Sequence, residues 1–242
     1  MTKHKIGIES VDNLNSALVD IFDKITNTGA GASSTGNNFE QTIYTLLKSG
    51  LSGFVFVSNK QWRQKGGIFE EYAKRAMKNN FDFSDLLVPS DGKFVYNRII
   101  VENPNSTQRW PDSLVIFNGI GLPIEIKSTK TDRIVWNGGL PRFDAIYIFN
   151  CWGIPRTTTF LGQDVITQEV RKILMDAERH EKALLNKVKT GDERWEYYSR
   201  PMYLGNEKYF KSELTVTQRE ERVKDFIINL PWNIYGQVVN FS

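Results

Sequence analysis

The chain has 242 residues, is 40% hydrophobic, and carries a formal net charge of +3 with a sequence pI near 8.8. That suits one large α/β domain, excludes a membrane span because no run approaches ~18 consecutive apolar residues, and is too mildly basic to argue for nucleic acid by charge alone. The start, Met1 to Glu9, has no apolar signal core, the single Cys151 excludes an internal disulfide and points to a reducing cytoplasm, and two His with one Cys exclude an ordinary zinc site.

Apolar residues at helical spacing predict a first helix over Ser10 to Lys24, with Val11, Leu14, Leu18, Ile21, Phe22 and Ile25 inward and Ser10 as N-cap. Thr26 to Asn38 is rich in Gly, Ser, Thr and Asn and reads as a linker. Phe39 to Lys48 is the next helix, with Phe39, Ile43, Leu46 and Leu47 inward and Glu40 at its start, where Asn37 to Glu40 fits a capping box. Gly53 to Val57 reads as a strand. The following Asn59 to Gly67 is polar and basic. Its Lys60, Arg63 and Lys65 are side chains of the kind that meet phosphates and base edges, while Trp62 either stacks or anchors. Ile68 to Asn79 is predicted as a helix with Phe69, Tyr72, Ala73 and Ala76 on one side. Phe94 to Val101 is a strand and Asn103 to Arg109 a polar loop.

Ser113 to Phe117 is a short apolar run and reads as a buried strand. Asn118-Gly119 is a strong hairpin signal. Leu122 to Lys127 then alternates apolar with polar. With Asn118 and Gly119 as a two-residue loop, Phe117 faces Ile120 and Asp112 falls opposite Glu125. With a four-residue loop Asp112 faces Lys127 and Glu125 stays on that face. A three-residue loop reverses the parity. Pro123 lacks an N–H, so part of this strand should be unpaired on one side. Two carboxylates and a lysine therefore converge on one face of the hairpin. Crowded carboxylate oxygens suit Mg²⁺, and a nearby lysine can orient an attacking water or help deprotonate it. These are the parts needed to hydrolyse a phosphodiester.

Beyond the hairpin, Ser128 to Arg133 and Trp136 to Arg142 form a basic, glycine-containing connection leaving the active-site strand. Lys130, Arg133 and Arg142 are candidate phosphate or base contacts there, and Asn137 a weaker candidate for base readout. Asp144 to Asn150 is a third core strand. Asp164 to Lys187 is a long helix whose apolar face includes Val165, Ile166, Val170, Ile173, Leu174, Ala177, Leu184 and Leu185. Its charges, His180 among them, form a solvated face, and the helix could serve a dimer interface. Arg194 to Arg200 and Tyr209 to Lys211 interleave aromatics with bases and read as core packing. Thr217 to Ile228 is helical with Val223, Phe226 and Ile227 inward, and Ile234 to Phe241 adds a final strand. Residues 1–242 read as a single domain, with 190–242 as a possible C-terminal subdomain and Lys189 to Asp192 as a possible hinge.

Pro111-Asp112, twelve intervening residues and Glu125-Ile126-Lys127 together resemble the PD-(D/E)XK nuclease motif. The resemblance implies a restriction-endonuclease-like core: an α/β fold with a mixed sheet flanked by helices and an active site on a central hairpin. It implies Asp112 and Glu125, with the carbonyl of Ile126, as Mg²⁺ ligands and Lys127 as the catalytic lysine. Gly36 to Glu40 looks like the upstream helix of such enzymes, whose glutamate approaches the metal. Within the superfamily the chain looks most like a type II restriction endonuclease acting on double-stranded DNA in the cytoplasm. That in turn implies a homodimer and a partner methyltransferase that protects host DNA. A repair nuclease, a junction resolvase or a transposon end-cleaving subunit would use the same residues. A DNA-binding module without catalysis is the reading from another class, and the complete Asp112, Glu125 and Lys127 set argues against it.

Overall fold

The computed structural model describes residues 11–27, 36–87, 97–105, 109–130, 133–136, 140–143, 145–153, 156–191, 202–203 and 214–230. Its centre is the hairpin of β3 (Ser113–Phe117) and β4 (Ile120–Thr129). Asn118 and Gly119 both take positive φ, 47° and 80°, as a two-residue turn between twisted strands requires. Phe117 pairs with Ile120 and Ser113 with Ile124, so the shorter-loop register is the one adopted.

β4 is long enough to serve two neighbours. Ile120–Ile124 pairs antiparallel with β3, and Ile124–Thr129 pairs parallel with β6 (Ile146–Cys151). Pro123 sits just before the β6 ladder begins, where a missing N–H costs nothing. Earlier on the same edge, the Gly121 N–H donates to Phe81 O at 2.8 Å. Among the described residues one sheet has the order β1-β2-β3-β4-β6-β7, with β1 Val55–Val57, β2 Arg98–Glu102 and β7 Arg156–Leu161. The β1–β2 and β4–β6 pairings are parallel and the rest antiparallel, so the sheet is mixed as expected. β5 (Ile134–Val135) and β8 (Met202–Tyr203) pair separately.

Three helices cover one face: α1 (Val11–Asn27), α2 (Gly36–Gly50) and α6 (Val216–Ile228). Leu18, Phe22, Phe39, Leu47, Val223 and Ile227 pack there on Val115, Leu122, Ile124 and Ile126. The opposite face carries two separate clusters. One joins α3 (Asn59–Trp62) and α4 (Glu70–Met77) to Ile99, Leu114 and Ile116. The other gathers Ile134, Trp136, Tyr147, Phe149 and Phe160.

Several element boundaries differ from the predicted ones. α2 begins at Gly36, so Asn37 lies inside the helix rather than capping it. Residues 26–27 and 36–38, read as linker, are helical, and 28–35 lie outside the described residues. The polar stretch after β1 opens with a turn of helix, because Ser58 and Gln61 form a reciprocal capping box. The long helix starts at Gln168, as α5 (Gln168–Gly191), so Val165 and Ile166 are buried loop residues that precede it. The Val170 N–H donates to Thr167 Oγ1 at 3.3 Å there. α5 also runs through Lys189 to Gly191, the described part of the possible hinge Lys189 to Asp192. β7 has no counterpart among the predicted strands. Phe94 to Tyr96, Arg194 to Arg200, Tyr209 to Lys211 and Ile234 to Phe241 lie outside the described residues.

Candidate active site

Alternation along β4 sends Ile124 and Ile126 into the core under α1, α2 and α6. Glu125 and Lys127 must then project from the opposite face. The β3–β4 register, continued by one residue, puts Asp112 opposite Glu125 on that same face, the face of Leu114 and Ile116. The three side chains thus emerge between the two separate clusters, at the point where β3 has ended and β4 continues.

The end of β3 is closed by Asp112 itself. Its Oδ2 accepts the N–H of Ile126 at 2.7 Å, replacing the ladder bond a longer β3 would have made. A residue's N–H and C=O point to the same edge of a strand, so the Ile126 carbonyl faces Asp112 and is turned away from β6. Asp112 is anchored through its backbone as well. Its carbonyl accepts the Tyr44 hydroxyl at 2.8 Å and the Asn103 N–H at 2.7 Å. Asn105 donates to Trp110 O at 2.8 Å and to Ala76 O at 3.2 Å, holding the approach to Pro111 against α4.

Glu125 is 7% exposed. Lys127 Nζ lies 2.5 Å from its Oε1, whereas Oε2 is buried with no hydrogen-bond partner. Burial, and then the Asp112 carboxylate, push the Glu125 carboxyl well above its ordinary value. Burial also raises Asp112, against the opposing pull of Lys127 and the Ile126 N–H. Lys127 stands over the Trp136 ring, 5.9 Å from its centroid.

Glu40 reaches the same region from α2. Burial and the negative charge of Asp112 push its carboxyl up to about 7, with Lys127 pulling the other way. Two residues that sequence reasoning passed over complete the surroundings. Tyr44 lies one helical turn after Glu40, on the same helix face, and burial together with Asp112 raises its hydroxyl. Glu102, opposite Ser113 in the β2–β3 ladder, accepts from Gln41 Nε2 at 3.2 Å and adds to the negative potential on Glu40. Helical periodicity around Glu40 would have found Tyr44. Glu102 needed the strand register.

Buried carboxylates with a single cationic neighbour and an unpartnered oxygen form a cluster with more negative than positive groups. Among the described residues, no group of three or more His, Cys, Asp and Glu side chains forms a metal cage by itself. The donor set present is two carboxylates and a main-chain carbonyl. It fits a hard cation that keeps most of its water, and Mg²⁺ is such an ion.

The expected DNA contacts that are described fall on α3 and the turn after it, just past β4, and in the connections around β5. Lys60, Arg63 and Lys65 are exposed on α3 and the turn after it. Trp62 is the anchor there, fully buried against Phe69 and Tyr72 and unavailable for base stacking. Lys130 is exposed at the end of β4, about 10 Å beyond Lys127 at strand rise, with its ammonium 5.8 Å from the Trp152 ring centroid. Arg133 is exposed just before β5. The Arg142 guanidinium stacks over Trp110 at 5.0 Å, which links the connection after β5 to the residue preceding Pro111. Asn137 lies outside the described residues.

No helix among the described residues is long and apolar enough to cross a membrane. Comparison with family models, with curated proteins and with solved structures finds no match to this chain.

Proposed function

We propose that the chain is a Mg²⁺-dependent nuclease of the PD-(D/E)XK kind, hydrolysing phosphodiester bonds in double-stranded DNA. One observation carries the reading: Asp112, Glu125 and Lys127 meet beside the open edge of Ile126, with Glu125 Oε2 buried and unpartnered. A second carboxylate beside the same lysine is more than an ion pair made for stability requires.

Asp112, Glu125 and the Ile126 carbonyl would hold the cation. Mg²⁺ bound there would supply a charge that stabilises the crowded phosphate oxygens and the leaving oxygen. Lys127, fixed by Glu125 and the Trp136 face, presents its ammonium to the attacking water and the scissile phosphate. Tyr44 and the Asn103 N–H hold the Asp112 backbone so that its carboxylate stays at the end of β3. Glu40 would join as a third carboxylate that takes or releases a proton near neutrality. Exposed Lys60, Arg63, Lys65, Lys130 and Arg133 supply charge for the duplex backbone.

Within this chemistry a type II restriction endonuclease is the preferred assignment, with a methyltransferase as its natural partner. Its test is digestion of phage and plasmid DNA with Mg²⁺ and with EDTA, followed by sequencing of the fragment ends. Discrete fragments sharing one short sequence, seen only with Mg²⁺, would support the assignment. Cutting confined to branched or mismatched DNA would redirect it to repair or recombination. Tight binding without cutting would leave a DNA-binding module.

A further inference from the structure

The row of residues that ends the sheet runs from the carboxylate cluster to the basic turn after β1. Val57 pairs with Val101, Glu102 with Ser113 and Ser113 with Ile124. Continued past the strand ends, the same registers put Asn59, Asn103, Asp112 and Glu125 side by side, about 14 Å from first to last at strand spacing. The links along this row are hydrogen bonds. The Asn59 side-chain amide donates to the Asn103 carbonyl. The Asn103 N–H donates to the Asp112 carbonyl at 2.7 Å, and the Asp112 carboxylate accepts the Ile126 N–H at 2.7 Å. In a strand, one residue's N–H and C=O point to the same edge. Asn103 takes a φ of 48° instead, and its N–H serves β3 while its C=O serves α3 on the other side. Asparagine is among the few residues that adopt this left-handed conformation readily.

Asn59 is the first residue of α3, and the rest of that turn is fixed to it. Its carbonyl accepts the Arg63 N–H at 3.0 Å. Ser58 and Gln61 cap the turn reciprocally, and buried Trp62 pins it to Phe69 and Tyr72. Lys60 and Arg63 stand exposed on the same turn. Backbone phosphates drawn to those two cations therefore engage a turn that is hydrogen-bonded, through Asn103, to the backbone of Asp112. We propose that Asn59 and Asn103 are positioning residues that couple duplex binding at α3 to cation binding at Asp112 and Glu125. Holding α3 on the duplex holds the Asp112 carbonyl, and with it the angle of the carboxylate toward the cation. The coupling is reciprocal, so a cation at Asp112 tightens duplex binding by the same factor. The choice of a duplex rests on the nuclease reading, whereas the coupling is read without any cleavage.

The test is an Mg²⁺ titration of the full chain, followed by melting temperature, with and without saturating short duplexes of random sequence. In the wild type the duplex should lower the Mg²⁺ concentration needed for half-maximal stabilisation. Asn59→Ala removes the donor and leaves the carboxylates and the phosphates in place. It should need about tenfold more Mg²⁺ without duplex, as when a residue behind a metal ligand is lost, and should lose most of the duplex effect. Lys60→Ala/Arg63→Ala changes two exposed side chains only, and should shrink the duplex effect even when duplex is saturating. An Asn59→Ala protein that melts lower but keeps the wild-type Mg²⁺ midpoint and duplex effect would reduce Asn59 to a structural contact and overturn the proposal. So would a full duplex effect in Lys60→Ala/Arg63→Ala, or a wild type whose Mg²⁺ midpoint ignores the duplex or that Mg²⁺ does not stabilise at all. A wild type that shows the coupling, loses it in both variants and cuts no DNA would support the coupling and sink the nuclease reading.

Discussion

The carboxylate of Asp112 accepts the backbone N–H of Ile126 at 2.7 Å, closing the end of β3 with a side chain instead of another residue of strand. This one bond places a carboxylate on the edge of β4 between the side chains of Glu125 and Lys127. It also predicts how substitutions separate folding from chemistry. Asp112→Asn keeps an oxygen that can accept the Ile126 N–H and removes only the charge. The variant should fold, bind DNA, and lose cleavage by more than about a hundredfold. Unfolding of this variant, read by circular dichroism, would assign Asp112 to structure instead.

Lys127→Ala leaves Glu125 buried without its cation. Cleavage should fall as far as in Asp112→Asn, and stability should fall too, because an uncompensated buried carboxylate is costly. Lys127→Ala/Glu125→Gln should recover much of the thermal stability and none of the cleavage. Equal melting temperatures for the single and double variants would contradict the coupling.

The carboxyls set a pH signature. Glu40 is raised from an ordinary 4.5 to about 7, and Glu125 and Asp112 move in the same direction. Between those limits the folded chain holds protons that the unfolded chain has released, so their contribution to stability is present at low pH and is lost as pH rises through the window. The metal-free protein should therefore lose melting temperature between about pH 5 and 8 from this source, and Glu40→Gln should flatten that slope. Added Mg²⁺ should stabilise the protein at about pH 8 and much less at about pH 5, where protons occupy the ligands. A Mg²⁺ effect independent of pH would argue against these carboxylates as the ligands.

Tyr44 is a positioning residue. Tyr44→Phe removes one of two donors to the Asp112 carbonyl and should cost about 1 kcal/mol of stability. Mg²⁺ affinity should weaken about tenfold, as when a residue behind a metal ligand is lost. A melting change with no change in Mg²⁺ dependence would reduce Tyr44 to a packing role.

Much of this arrangement was legible in the chain itself. The hairpin declared itself because its turn residues and its alternation agree, and a two-residue loop fixes the parity that brings Asp112 opposite Glu125. β7 was hidden because Arg156 to Thr159 carries threonines where a reader looks for aliphatic residues, although β-branching was the available signal. Val165 and Ile166 match helical spacing yet belong to the loop before α5, where Asp164 Oδ2 accepts the Leu161 N–H and breaks the run. On the sequence Trp62 could either stack or anchor, because its neighbours in the chain are polar. Its neighbours in space, Phe69 and Tyr72, make it the anchor. Glu40 could be placed near the site only through the resemblance, since helix packing across the sheet is a tertiary fact.

The most direct test of the central claim is plasmid relaxation and linearisation by the wild type beside Asp112→Asn, with DNA binding measured on the same preparations. The account predicts cleavage by the wild type only in Mg²⁺, no cleavage by the variant, and comparable DNA affinity for both. Cleavage by Asp112→Asn at the wild-type rate, or a wild type that neither binds nor cuts DNA in Mg²⁺, would contradict it.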